Sequence, residues 1–322
     1  MTLTELLAPV SDDMRVVDQV IRDRLRSDVP LINAIAEYII AAGGKRLRPA
    51  LLLMMSGALG YRGRFHHELA AVVEFIHTST LLHDDVVDES DLRRGRKTAN
   101  AVFGNAASVL VGDFLYSRAF QMMVEPGVMR VMSVLADATN TIAEGEVLQL
   151  INCHDPDVSQ ENYFQVIRFK TARLFEASAQ LAAILAGVPA EVEAACAAYG
   201  RHLGTAFQLV DDVLDYSGSV SETGKNVGDD LREGKPTMPL IYLRDHGSEA
   251  EKAMVRAAIS SETEPAIEPI IDALKGSGAL DYTRECARRE GELAAQAISG
   301  FADSRFKQTL IDLCAFSATR SQ

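Results

Sequence analysis

A chain of 322 residues with 48% hydrophobic content is long enough to bury a sizeable core, as one large domain or two ordinary ones. Its formal charge of −13 argues against nucleic acid as a partner and against adsorption to anionic lipid. Four cysteines, Cys153, Cys196, Cys286 and Cys314, form no C-x-x-C pair, which fits a reducing compartment better than a disulfide scaffold or a zinc site.

Residues 1–30 read as an N-terminal helical extension. Glu5, Asp12 and Asp13 leave no basic-then-apolar layout of a secretory signal. The longest run free of Asp, Glu, Lys and Arg is the 15 residues from Thr98 to Gly112. A spanning helix needs about 18, so a soluble, cytoplasmic protein with no transmembrane segment is expected. Helical i, i+3, i+4 periodicity then recurs at about 14–26, 30–42, 49–59, 66–88, 106–124, 128–151, 160–186 and 191–216, and at about 236–246, 249–260, 264–275, 279–299 and 303–319. Breakers such as Gly43-Gly44, Pro126-Gly127 and Gly276-Ser277-Gly278 separate these segments. Alternating Val/Ile/Thr runs and tryptophan are absent, so the expected class is all-α, and no linker divides the single domain 1–322.

The first motif in chain order is Gly43-Gly44-Lys45-Arg46-Leu47-Arg48-Pro49. It reads either as a helix C-cap with cations at its negative end or as a cradle for a diphosphate, since Lys offers a point charge and Arg a planar fork. His66 and His67 read as exposed helix-start residues, and His77 as either a core histidine or a ligand. Then comes Asp84-Asp85-Val86-Val87-Asp88, within an apolar helical pattern, and the pattern returns as Asp211-Asp212-Val213-Leu214-Asp215. Positions i and i+4 of a helix share a face, so Asp84 and Asp88 point one way, and so do Asp211 and Asp215. Carboxylates clustered in apolar surroundings repel and resist desolvation unless something positive offsets them. Solvated acidic helix ends explain one such cluster more easily than two. A calcium loop needs D-x-D-x-D and a turn glycine, whereas Mg²⁺ takes few carboxylates and completes its octahedron with water and phosphate. The first inference is a Mg²⁺–diphosphate site with two walls.

Five residues after the first aspartate motif, Arg93-Arg94-Gly95-Arg96-Lys97 forms a second basic cluster in an acidic chain. Two acidic and two basic clusters describe a site for two diphosphates, one held through metal and one by cations directly. Met122 and Met123 read as core filler. Ser217 to Lys235 is a long Gly/Ser-rich segment, read as a lid over residues 217–235 whose Lys225 and Lys235 reach a bound phosphate.

With GGKRLRP, LLHDDVVDESDLRRG, GNAASVLVGDFLYSRAF, AEGEVLQL, FKTARLFE, GTAFQLVDDVLDY and GKNVGDDLREGKPTMP in view, the chain resembles the trans-isoprenyl diphosphate synthases from about Leu31 onward. Within them it is most like the bacterial long-chain members that build quinone side chains. The resemblance implies an isoprenoid-synthase-type helical bundle around a deep central cavity, a homodimer, and Mg²⁺, about two or three ions per site. It implies that Asp84, Asp88 and Asp211 hold the metal, supported by Asp85, Asp212 and Asp215. Arg93, Lys170, Lys225 and Lys235 then bind the allylic diphosphate, and Lys45, Arg48, His77 and Arg94 bind isopentenyl diphosphate. Thr171 and Gln208 line the reacting centre. Short-chain members carry a bulky aromatic where this chain has Ser79 and Thr80, which implies a product near C40 grown on farnesyl diphosphate. Ile76 does not obviously close the way, and Phe120 and Met123 are candidates for the tunnel floor. Product release implies transient membrane contact.

Three rivals fit less well. His83-Asp84 spells the dipeptide of HD-type metal phosphohydrolases, but that class gives no reason for a second D-D-x-x-D or for GGKRLRP. A terpene cyclase usually replaces the second aspartate motif, and a non-catalytic partner subunit is expected to have lost one.

Overall fold

Helices make up most of the described residues. A computed structural model describes residues 2–41, 43–93, 95–217, 227–261, 263 and 265–319. The helices in chain order are α1 (Leu3–Leu7), α2 (Ser11–Leu25), α3 (Pro30–Ala41), α4 (Leu47–Ala58), α5 (Phe65–Val87), α6 (Ala99–Phe103), α7 (Asn105–Val124), α8 (Met129–Asn152) and α9 (Gln160–Ile167). They continue as α10 (Arg173–Ala186), α11 (Ala190–Ser217), α12 (Asp229–Arg232), α13 (Met238–His246), α14 (Glu249–Ile259), α15 (Ile267–Gly276), α16 (Ala279–Ala297) and α17 (Arg305–Thr319). Among the described residues the strands are one antiparallel pair, β1 (Leu92–Arg93) and β2 (Arg96–Lys97).

The all-α expectation holds, and every long predicted segment has its helix. The short elements α1, α6 and α12 escaped periodicity because four or five residues show too little of a 3.6-residue repeat. Helix α1 is instead set by a capping box, in which the Thr2 side chain accepts from Glu5 N–H and the Glu5 carboxylate accepts from Thr2 N–H. The segment predicted as one helix over 160–186 is divided by a π-turn at Arg168–Ala172. Such turns insert an extra residue into a helix and concentrate at functional sites, and this one holds Lys170 and Thr171.

The chain packs as two compact units, each assembled from separated stretches. The first comprises Met1–Thr139, Leu174–Gly200 and Ala297–Asp312; the second comprises Asn140–Arg173, Arg201–Gln296 and Leu313–Gln322.

In the first unit, α5 packs against α4 and α7 through Leu69, Val72, Val73, Phe75 and Ile76, all buried. Burying each such side chain contributes about 1.5–3 kcal/mol. Two hydroxyls register α5 on α7: Ser79 Oγ donates to Gly112 O at 2.8 Å, and Ser108 Oγ donates to Leu82 O at 3.0 Å. A Cβ at Gly112 would sit 2.4 Å from His83 Nε2, so that ring would have to shift. A close approach of backbone to backbone in this unit is at Gly200 on α11, where a Cβ would meet Phe175 O at 2.4 Å and Glu176 Cα at 2.7 Å. Backbone cannot rotate away as a side chain can. Gly200→Ala is therefore expected to lose about 1–3 kcal/mol of stability. An unchanged urea midpoint for this variant would show that the helices separate freely here.

In the second unit, Val213, Tyr216, Leu231, Leu240 and Leu243 form one core cluster, and Tyr163, Ile167, Leu209, Val210, Met238 and Ile241 form another. The C-terminal half of α11 contributes to both. Arg244 Nη1 donates to the carbonyls of Pro156 and Val158 at 2.8 and 2.7 Å, closing the turn that precedes α9.

Candidate active site

Asp84, Asp85 and Asp88 occupy the C-terminal end of α5, with Asp88 as its cap residue. That end carries the helix's partial negative charge, where a carboxylate is disfavoured. Asp85 is 3% exposed, and its burial pushes its pKa above the usual carboxylate range despite the neighbouring arginine. Arg93 pairs with it, with both Nε and Nη2 at 2.7 Å from Asp85 Oδ1. The β1–β2 hairpin delivers that arginine. Thr98 N–H donates to Asp91 O at 3.0 Å, and Asn100 Nδ2 donates to Asp85 O at 3.1 Å.

The GGKRLRP motif serves both helices it joins. Gly43, at φ +66°, follows α3, and Arg46, at φ 49°, is the N-cap of α4. Lys45, Arg46 and Arg48 thus stand at a positive helix end, where cations destabilise and anions bind. Such a placement is compatible with a phosphate cradle. Arg46 itself is turned to Glu74 at 3.5 Å and Asp18 at 3.8 Å. Arg48 Nη1 lies 3.2 Å from His77 Nε2, and its guanidinium carbon is 4.4 Å from the centre of the Phe175 ring. An arginine only donates, so His77 Nε2 is the acceptor and its proton sits on Nδ1. His77 is thus a partner of Arg48 rather than a plain core residue. A solvent-open cleft of about 890 Å³ in this unit is lined by Arg46, His77, Asp85, Arg93, Arg96 and Lys97 on its polar side.

The second acidic motif repeats the pattern of the first. Asp211, Asp212 and Asp215 fall in the last two turns of α11, again at the negative end of a helix. Asp212 is 1% exposed and is the centre of a polar chain. The Thr171 hydroxyl donates to Gln208 Oε1 at 2.9 Å, and Gln208 Nε2 donates to Asp212 Oδ1 at 2.9 Å. The Tyr163 hydroxyl donates to Asp212 Oδ2. Burial, and next the charge of Asp230, push the Asp212 carboxyl up to about 8. Lys170 lies 2.6 Å from Glu146 on α8, and Lys235 pairs with Glu233. Gly145 lets α8 approach the π-turn, since a Cβ there would be 2.7 Å from Lys170 N.

The expected lid over 217–235 is only partly loop. Ser217 ends α11, Lys225 lies outside the described residues, and α12 forms beyond it. Gly228 N–H donates to Asp215 O at 2.9 Å and Asp230 N–H to Asp215 Oδ2 at 3.3 Å, which folds this stretch against the second motif. Arg94 likewise lies outside the described residues.

Of the residues expected to set product length, Ser79 and Ile76 are fully buried, and Ser79 faces α7. Thr80 is half-buried, its hydroxyl turned back to His77 O at 2.8 Å. Met122 and Met123 are buried as core filler should be. Phe120 is 37% exposed, which does not suit a residue closing a cavity from within one chain. His66 and His67 correct a sequence expectation, because both are half-buried rather than exposed. Reading the sequence also missed Tyr163, Asp230, Glu146 and Phe175. Glu146, Phe175 and Asp230 lie inside motifs already noted, but Tyr163 carries no local signal, since only folding brings it to the second aspartate motif.

The comparisons with known proteins follow from this arrangement. The polyprenyl synthetase family model matches residues 29–274. Octaprenyl diphosphate synthase of Escherichia coli is 50% identical over 323 aligned positions, covering all of both chains. The all-trans-nonaprenyl-diphosphate synthase of Rhodobacter capsulatus is 43% identical over 99% of this chain and 98% of that protein. A crystal structure of a Caulobacter crescentus polyprenyl synthase, complexed with calcium and isoprenyl diphosphate, is 44% identical. It covers 100% of this chain and 98% of that one, with a TM-score of 0.96. Two D-D-x-x-D motifs at helix C-termini, a basic hairpin and a cationic helix N-terminus are thus found in a chain that belongs to the polyprenyl synthetase family.

Proposed function

We propose that this protein is a long-chain all-trans polyprenyl diphosphate synthase, adding isopentenyl diphosphate units to an allylic primer, farnesyl diphosphate, up to about C40. The observation that carries this reading is the placement of both aspartate motifs at negative helix ends, where a bound cation would offset their charge. The full-length likeness to octaprenyl diphosphate synthases supports the C40 product and a role in quinone side chains. The whole chain, 1–322, acts as one catalytic domain in this reading.

The donor set suits Mg²⁺, being all carboxylate, and a bound cation would offset the burial that raises Asp85 and Asp212. Asp84, Asp88 and Asp211 would hold Mg²⁺, which when bound would supply Lewis-acid stabilisation of the leaving diphosphate. Asp85 and Asp212 orient their neighbours through Arg93 and through Gln208 and Tyr163. Lys170, Lys225, Lys235 and Arg93 neutralise the allylic diphosphate as its C–O bond breaks. Lys45, Arg48, His77 and Arg94 hold isopentenyl diphosphate so that its double bond meets the allylic cation, with Thr171 and Gln208 beside the reacting carbons. The proton lost from the new C–C product passes to the departing diphosphate, and no protein base is required.

Leu110, Phe120, Val124 and Met129 are exposed in the first unit, an apolar surface that supports a homodimer, with sedimentation velocity as its check. No helix among the described residues is long and apolar enough to cross a membrane. That supports a cytoplasmic enzyme whose greasy product brings it only transiently to a lipid surface.

Incubation with Mg²⁺, isopentenyl diphosphate and farnesyl diphosphate is expected to give a ladder ending near C40. Release of inorganic phosphate without chain extension would return the reading to a phosphohydrolase. Within this scheme, Lys45→Ala is expected to raise KM for isopentenyl diphosphate with kcat nearly unchanged, because its diphosphate is never cleaved and the lysine binds ground and transition states alike. A larger rise in KM for the allylic primer would mean that the two diphosphate sites are exchanged.

A further inference from the structure

A second cluster of potential metal ligands stands apart from the aspartate motifs, at the other end of α5. His66 and His67 lie in the first turn of α5, and Asp13 in the first turn of α2. One ligand atom from each of the three lies within 4.8 Å of the others. His67 Nε2 is 2.8 Å from Asp13 Oδ1, and His66 Nε2 is 3.8 Å from the same oxygen.

Consecutive residues of a helix do not ordinarily face one point. Here the two imidazoles converge, with ring centres 3.9 Å apart and planes 35° apart. A plain ion pair accounts for His67 and Asp13 alone. It leaves His66 beyond hydrogen-bond distance of an oxygen it faces. A cation shared by all three groups accounts for both rings. Imidazole nitrogens with one carboxylate are the donors that borderline divalent ions such as Zn²⁺ select. Metal bonds of about 2.0–2.1 Å in a tetrahedral site place ligand atoms about 3.4 Å apart. The separations of 2.8 and 3.8 Å straddle that value, so small side-chain rotations suffice.

We propose that Asp13, His66 and His67 form a Zn²⁺-class binding site that ties the start of α2 to the start of α5. The surroundings fit. His66 and His67 side chains are 14% and 18% exposed, and Asp13 is 41% exposed, which leaves an entry path and room for water as a fourth ligand. The Tyr61 ring packs edge-on against His66 at 5.4 Å, walling one side. Burial, and next the charge of His67, hold His66 below the usual histidine pKa, which favours the neutral form a metal needs. The positive end of α5 opposes a cation, and the Asp13 carboxylate offsets it.

The test uses the full chain in excess Mg²⁺, which occupies the aspartate motifs. Zn²⁺ is titrated calorimetrically into the wild type, into His66→Gln/His67→Gln and into Asp13→Asn, and Co²⁺ absorption reports the geometry. The wild type is expected to take one Zn²⁺ more tightly than either variant, by about tenfold or more. Zn²⁺ should also raise Tm in the wild type alone. Condensation with Mg²⁺ should be unchanged in both variants, which verifies their fold. Equal Zn²⁺ affinity in all three proteins, or Zn²⁺ binding in the wild type that is lost only with Asp84→Ala, would overturn the proposal.

Discussion

Replacing Asp84 or Asp211 with alanine is expected to lower kcat by about a thousandfold or more, each tenfold step being about 1.4 kcal/mol of barrier. The expectation rests on where these carboxylates are. Both stand in the last turns of long helices, α5 and α11, whose negative ends already disfavour them. A fold under no functional demand would place cations there. Stability should therefore hold or rise as activity collapses, since each variant removes one negative charge from an acidic cluster. That pairing of outcomes separates a functional loss from a folding loss. Saturating Mg²⁺ should not rescue either variant. Retention of more than about a tenth of wild-type turnover by Asp84→Ala would remove that residue from the metal set.

Ser79→Phe is expected to stop elongation after one or two additions, so that products near C15–C20 replace those near C40. Ser79 lies five residues before Asp84, so its Cα is about 7.5 Å further down the helix axis. The side chain is fully buried and its hydroxyl reaches Gly112 O on α7. A phenyl ring in its place must occupy whatever space lies between α5 and α7 below the aspartates, which is where a growing tail would pass. Forcing a ring into a filled interface would instead cost about 1–3 kcal/mol. The two cases separate cleanly. An active variant with short products marks the tunnel, whereas an active variant still making the full-length chain moves the length determinant elsewhere. A fall in Tm without a change in product length marks packing alone.

The sequence by itself determined the class of structure and the chemistry. Apolar residues at helical spacing placed every long helix, because burying one face of a long helix requires that repeat whatever the helix packs against. D-D-x-x-D, occurring twice, and the basic runs at Lys45–Arg48 and Arg93–Lys97 gave the ligand types, because carboxylate, ammonium and guanidinium chemistry belongs to the residue and not to the fold. Tertiary structure decided what spacing cannot encode. The π-turn under Lys170 and Thr171 depends on the approach of α8 at Gly145, a contact between separate segments. Tyr163 and Asp230 come near Asp212 only by packing, and nothing in the sequence around Tyr163 announces it. Arg46 and Arg48 share one motif, yet one turns to Glu74 and the other to His77, because Arg46 takes a left-handed backbone at the start of α4 while Arg48 lies within its first turn. His66 and His67 look like solvent-facing helix starters, yet both are half-buried beside Asp13 of another helix. Local pattern sets which side chains share a face, and only the folded chain sets what that face meets.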